Sequence, residues 1–145
     1  MFKDILLPIN LNKLPEWSDT IAIACRLARD HDARLTLATI LPHWLTIRDA
    51  DYSWDAEQMF EAKARESLET FRAEARHSNC GVLVHWGSLP SSILDIAENL
   101  SADLIVLPAK GPSFVDNLRN QESVRLAGRA SCSVLLVRGG PSGSQ

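Results

Sequence analysis

The chain has 145 residues, of which 46% are hydrophobic, and 15 Lys and Arg against 18 Asp and Glu leave a formal charge of −3 at pH 7. This length predicts one domain, and the apolar share suffices for a sizeable core, which excludes a disordered chain. The slightly acidic balance argues against binding along a phosphate backbone, so no nucleic-acid partner is expected.

The cysteines and the apolar runs indicate the cellular compartment of the protein. The 3 cysteines stand at wide spacings and are odd in number, which does not resemble a disulfide framework. The first residues carry no secretory pattern, and no apolar stretch reaches the roughly 20 residues of a membrane span. We therefore expect a cytoplasmic protein without a membrane partner.

The predicted elements alternate between strand and helix along the chain. Short apolar runs without polar alternation predict strands over 5–9, 34–41, 81–86, 102–107 and 133–138. Apolar residues at helical spacing predict helices over 15–30, 55–76, 91–100 and 121–129, with Ser88 or Ser91 capping the third. This alternation is typical of an α/β fold with a parallel sheet and helices on both faces.

The longest connection joins the second strand to the third and includes the loop from Pro42 to Trp54. This loop contains Trp44, Tyr52 and Trp54. Aromatic side chains in a loop indicate either a partner surface or packing over the sheet edge, and both interpretations stay open. A second loop is predicted over 111–120, and the tail over 139–145 lacks core-forming residues and is expected to be flexible.

Several patterns that would indicate a reaction are missing from the sequence. There is no G-x-G-x-x-G, no G-x-x-x-x-G-K-[ST] and no G-x-S-x-G. His77, Cys80 and His85 lie near one another, but no second ligand pair accompanies them, so surface histidines and a packed cysteine are favoured over a metal site. We predict no metal ligand, no catalytic residue and no enzyme activity.

Several segments, in matching order and spacing, resemble the universal stress protein family. They are Phe2–Ile9, Leu35–Ile40, Ala102–Val106 and Ser131–Val137, with Gly87, Ile93 and Ala97 between them. The resemblance extends from residue 1 to residue 138 and implies one domain over that range. It also implies an open five-stranded parallel sheet with strand order 3-2-1-4-5, whose ligand crevice lies between the first and fourth strands.

The resemblance also implies where a nucleotide would bind, and the sequence departs from that pattern. Members of the family that bind ATP carry G-x-x-G, nine residues and then G-[ST] after the fourth strand. Here Pro108 replaces the first glycine and offers no N–H, and Gln121–Glu122 stand where Gly-Ser is expected. The carboxylate of Glu122 would repel a triphosphate. The candidate crevice residues are Asn10 (in place of an aspartate), Ile40, Pro108, Lys110, Gly111, Gln121, Glu122 and Ser123.

We therefore predict a cytoplasmic stress-response protein that acts through contacts with protein partners, with little or no ATP binding and no cofactor. The alternative is an adenine-nucleotide sensor or weak ATPase with an atypical pocket, in which Lys110 favours phosphate. The fifth strand is apolar, and the implied strand order places it at a sheet edge, where an uncovered strand invites pairing. A homodimer is therefore expected through the fifth strand, by Val134, Leu135, Leu136 and Val137.

Overall fold

The computed structural model of the chain describes residues 2–11, 17–42, 54–108 and 125–138. Within these ranges five strands alternate with four helices, α4 being a short one. In chain order they are β1 (Asp4–Pro8), α1 (Ser18–His31), β2 (Arg34–Leu41), α2 (Trp54–Ala75), β3 (Cys80–Trp86), α3 (Ser91–Leu100), β4 (Leu104–Pro108), α4 (125–129) and β5 (Ser133–Val137). The predicted loop over 111–120, the tail and nearly all of the loop from Pro42 to Trp54 lie outside the described residues.

The strands form one parallel sheet with the order β3-β2-β1-β4-β5. This confirms the predicted α/β class, and it confirms the strand order that the family resemblance implied. The central strands are buried on both faces, which is why their sequences show no polar alternation. Each predicted strand is present, with ends that differ from the prediction by two residues at most.

Two apolar clusters lie on the two faces of the sheet. On one face α1 and α2 cover the sheet, and Ala64, Leu68 and Ala75 of α2 are buried at the helical spacing that predicted this helix. Trp17, just before α1, is fully buried in the same cluster. On the other face α3 and α4 pack through a second cluster, which includes Leu126 of α4. Among the described helices, none has the length and apolarity that crossing a bilayer requires.

The start of α3 differs from the prediction. Pro90 occupies the N-cap position and no side chain caps the helix. Ser91 lies inside the first turn, where its Oγ donates to the carbonyl of Ser88 at 3.3 Å. The predicted cap by Ser88 or Ser91 is therefore wrong, because the N-cap position lies two residues after Ser88 and one residue before Ser91.

The amino ends of the strands are joined by polar contacts. The carboxylate of Asp103 accepts hydrogen bonds from the backbone N–H groups of Lys3, at 2.8 Å, and Asp4, at 3.1 Å. The side chain of Asp4 in turn accepts from Nε of Arg34 at 2.7 Å. These contacts join the amino ends of β1, β2 and β4 to one another.

Candidate functional site

The carboxyl ends of β1 and β4 part from each other in the middle of the sheet. The register between β1 and β2 continues to Pro8↔Ala38, and that between β4 and β5 continues to Pro108↔Val137. Between β1 and β4 it covers only Ile5↔Leu104 and Leu6↔Ile105. The two strands therefore separate where the strand order reverses, which is where open α/β sheets bind ligands.

The wall of this crevice on the β1 side is held by β2. The N–H of Ile9 donates to the carbonyl of Ala38 at 2.7 Å, and Oγ1 of Thr39 donates to the carbonyl of Ile9 at 2.9 Å. Thr39 is buried, so this hydrogen bond holds the backbone at the carboxyl end of β1 from the core side. Sequence reasoning missed Thr39, because a threonine inside an apolar run is also an ordinary strand residue.

Three predicted crevice residues lie at the carboxyl ends of adjacent strands. Asn10 follows β1, Ile40 lies near the end of β2, and Pro108 is the last residue of β4. Asn10 and Ile40 are half-buried, whereas Pro108 is buried. The remaining five lie outside the described residues: Lys110, Gly111, Gln121, Glu122 and Ser123.

A glycine at the carboxyl end of β3 lets two side chains approach the backbone. A Cβ on Gly87 would stand 2.2 Å from Oγ of Ser92 and 3.4 Å from Nε2 of His85, so a larger residue there would force a neighbour to shift. Ser92 is only 4% exposed, which closes its hydroxyl to a substrate and makes its contact with Gly87 one of packing.

The three cysteines are poor nucleophiles. Burial raises the pKa of the Cys25 thiol and the Cys132 thiol above their ordinary value, and it raises the pKa of Cys80 to about 11. A raised pKa lowers the thiolate fraction at neutral pH, and the thiolate is the reactive form. Within the described residues, no group of three or more His, Cys, Asp and Glu side chains is arranged to hold a metal ion.

The strand β5 forms one edge of the sheet. Val134 and Leu136 are half-buried against the second cluster, and the side chain of Val137 is buried at 6% exposure in the first. Leu135 is 36% exposed, one of the few large apolar side chains at the surface among the described residues. The predicted interface residues therefore differ in what a second chain could contact. The side chain of Leu135 is accessible, whereas at Val137 only the backbone is.

The geometry agrees with that of known proteins. The sequence model of the Universal stress protein family matches residues 1–138. Universal stress protein A homolog 1 of Coxiella burnetii is 27% identical over 146 residues, covering 94% of this chain and 96% of its own. A solved universal stress protein in complex with cAMP is 15% identical and superposes with a TM-score of 0.71, covering 94% of this chain and 97% of that one.

A second solved structure is that of the universal stress protein from Archaeoglobus fulgidus in complex with dAMP. It is 19% identical, with a TM-score of 0.61, and the match covers 93% of this chain and 97% of that one. At these identities the structures support the fold alone. The match of the family model confirms the resemblance that the sequence segments indicated.

Proposed function

The chain belongs to the universal stress protein family, and from this premise we propose that it is a cytoplasmic stress-response protein that works as a homodimer through protein contacts, with little or no binding of ATP. The proposal combines two features at different places in the sheet. One is the carboxyl end of β4 at the crevice, and the other is the free edge of β5. No cofactor and no catalytic step are assigned to the protein.

The observation that carries the proposal is Pro108 at the end of β4. It stands where the ATP-binding pattern has its first glycine, and it is buried in the sheet, paired in register with Val137. Glycine there would let the backbone approach a phosphate and offer it an N–H group. Proline offers a ring and no N–H. The neutral Asn10 in place of an aspartate is a second departure from the pattern on the facing wall.

Calorimetry with ATP and Mg²⁺ tests the first half of the proposal. We expect no saturable heat at millimolar nucleotide, and no rise in melting temperature, because only a ligand that binds the native state stabilises it. Micromolar affinity for ATP would overturn this half.

The second half depends on the edge strand. Parallel pairing with β4 leaves the other side of the β5 backbone unpaired within the described residues. An apolar edge is a site for pairing with another chain, and a second copy related by a two-fold axis closes the assembly. Leu135, exposed beside this edge, would be buried by that contact.

Sedimentation velocity on two matched variants tests the dimer. Leu135→Lys places like charges across the proposed two-fold contact, so we expect a monomer at concentrations where the parent is a dimer. Ile23→Lys is the control, because Ile23 is similarly exposed, at 39% against 36%, and belongs to α1 and not to the edge strand. Val137 is left unchanged because its side chain is buried in the core. A dimer that survives Leu135→Lys, or a monomeric parent, would contradict the proposal.

A second candidate function is the sensing of an adenine nucleotide other than ATP. The observation that favours it is that two proteins of the same fold were solved with cAMP and with dAMP. A nucleoside monophosphate carries less negative charge than a triphosphate, so the repulsion expected from Glu122 is weaker. The replacement of Gly-Ser by Gln121–Glu122 therefore argues less strongly against binding of a monophosphate than against binding of ATP. Titration with cAMP and with dAMP, beside ATP, decides between the two functions: saturable binding of a monophosphate alone would favour the second.

A further inference from the structure

A groove separates α1 from α2 on the surface, and none of the predicted crevice residues lines it. Its volume is about 360 Å³, which lies at the lower end of the roughly 300–1,000 Å³ of small-molecule sites. The lining is mainly apolar, with Ile21 and Phe71 half-buried on its sides and Cys25 buried at its floor. Ala22 lies at the rim, where it is exposed.

Two opposite charges line the groove. Arg29 of α1 donates from Nη1 to the carbonyl of Ala75 at 2.7 Å, which fixes the guanidinium beside the last turn of α2. Glu74, the residue before Ala75, also lines the groove. Within the described part of the chain no ion pair joins Arg29 to Glu74 at 4.0 Å or less. Each charged group therefore keeps capacity for a partner of opposite sign.

This combination selects one class of ligand. A simple carboxylate would meet Arg29 but be repelled by Glu74, and a simple amine would meet Glu74 but be repelled by Arg29. A wholly apolar molecule would take both charged groups out of water without pairing either. A small zwitterion with an apolar body satisfies all three parts of the groove.

We propose that the groove between α1 and α2 binds a free amino acid with an apolar side chain. The carboxylate lies against Arg29, the ammonium lies against Glu74, and the side chain packs between Ile21 and Phe71. None of the residues that line the groove belongs to β5 or to the predicted crevice residues, so the test of this proposal does not depend on the proposed function.

Calorimetry of the full chain with L-phenylalanine as the probe tests the proposal. We expect saturable binding, and we expect N-acetyl-L-phenylalanine and L-phenylalaninamide, each of which lacks one charge, to bind about three- to tenfold more weakly because each loses one partly exposed ion pair. Glu74→Gln should weaken the binding of L-phenylalanine to a similar degree, and it should not weaken the binding of N-acetyl-L-phenylalanine, which has no ammonium to pair with Glu74.

Two variants on adjacent positions of α1 provide a structural control. Ala22→Phe fills the rim of the groove and should lower the affinity for L-phenylalanine by at least about tenfold. Ile23→Phe adds a phenyl ring to the next residue, which is 39% exposed and does not line the groove, and should leave the affinity unchanged. Both positions face outward, so the melting temperatures should stay close to that of the parent. Absence of binding up to the solubility limit, binding of both analogues as tight as that of L-phenylalanine, or equal effects of the two variants would overturn the proposal.

Discussion

The two ends of the sheet are held together in different ways. At the amino end, the carboxylate of Asp103 accepts hydrogen bonds from the backbone of Lys3 and Asp4, which lie 100 and 99 positions earlier in the chain. The side chain of Asp4 in turn accepts a hydrogen bond from Arg34. At the carboxyl end, polar contacts join β1 to β2 and β2 to the residue after β3, and the register between β1 and β4 stops at Leu6↔Ile105. Side-chain contacts therefore hold β1, β2 and β4 together at the amino end, whereas β1 and β4 separate at the carboxyl end.

The largest effect should follow from breaking the amino-end network. Asp103→Ala leaves the N–H groups of Lys3 and Asp4 without their carboxylate partner, and we expect a loss of about 1–3 kcal/mol in the free energy of unfolding. Chemical denaturation measures this loss. Asp95→Ala is the control, since Asp95 is exposed on α3, and it should change the stability by less than about 0.5 kcal/mol. Equal losses from both variants would remove the special role of Asp103.

This contrast also explains what the sequence could and could not predict. The runs around Leu6, Leu37 and Ile105 predict strands because apolar content is a local property of the chain. The role of Asp103 was not predicted, because its partners lie 99 and 100 residues away. The strand order likewise came from resemblance to a family, since alternation of elements predicts a parallel sheet but leaves its order open.

The candidate site was less accessible to sequence reasoning than the fold. The parting of β1 from β4 depends on backbone register, which no pattern in either strand reveals. Thr39 and Gly87 matter through single contacts across the structure, with Ile9 and Ser92, and neither contact has a spacing signature. Of the positions carried over from the family motif, Pro108 lies at the carboxyl end of β4, and its part in binding a ligand stays a prediction.

The second prediction compares the two ends of β3 by the same substitution. Gly87→Ala places a Cβ 2.2 Å from Oγ of Ser92, and we expect it to lower the free energy of unfolding by about 1–2 kcal/mol through overpacking. Gly81→Ala, near the amino end of β3, meets nothing within 4 Å and should be neutral or slightly stabilising.

A double-mutant cycle checks the cause. Because Ser92→Ala removes the clashing oxygen, the loss caused by Gly87→Ala should shrink by about 1 kcal/mol in the Ser92→Ala background. Additive effects would show that the contact between Gly87 and Ser92 is not the source of the loss.

The third prediction concerns the buried hydrogen bond that Thr39 makes to Ile9 beside the crevice. Thr39→Val keeps the shape of the side chain but removes its bond to the carbonyl of Ile9, so we expect a loss of about 1 kcal/mol. Hydrogen exchange should show faster exchange at the N–H of Ile9, which donates to Ala38 beside that carbonyl, than in the parent. Thr70→Val is the control, because Thr70 is exposed on α2 and its Oγ1 donates only within the helix. If both variants lose the same stability, the tie at Ile9 contributes nothing special.

The smallest effect should come from Ser101, and its sign is the informative part. Ser101 ends α3 in the left-handed conformation, with φ of 54°, and the N–H groups of 101 and 102 donate back to Glu98 and Ala97. Glycine adopts that conformation without the steric cost that a Cβ imposes, so Ser101→Gly should stabilise the protein by about 0.5–1 kcal/mol.

Ser91→Gly is the control and makes the same change at the first residue of the same helix. Helical geometry gives glycine no advantage there, and its greater freedom in the unfolded chain lowers the stability. Thermal unfolding of the two variants should therefore shift in opposite directions. Shifts in the same direction would mean that the left-handed end of α3 stores no strain.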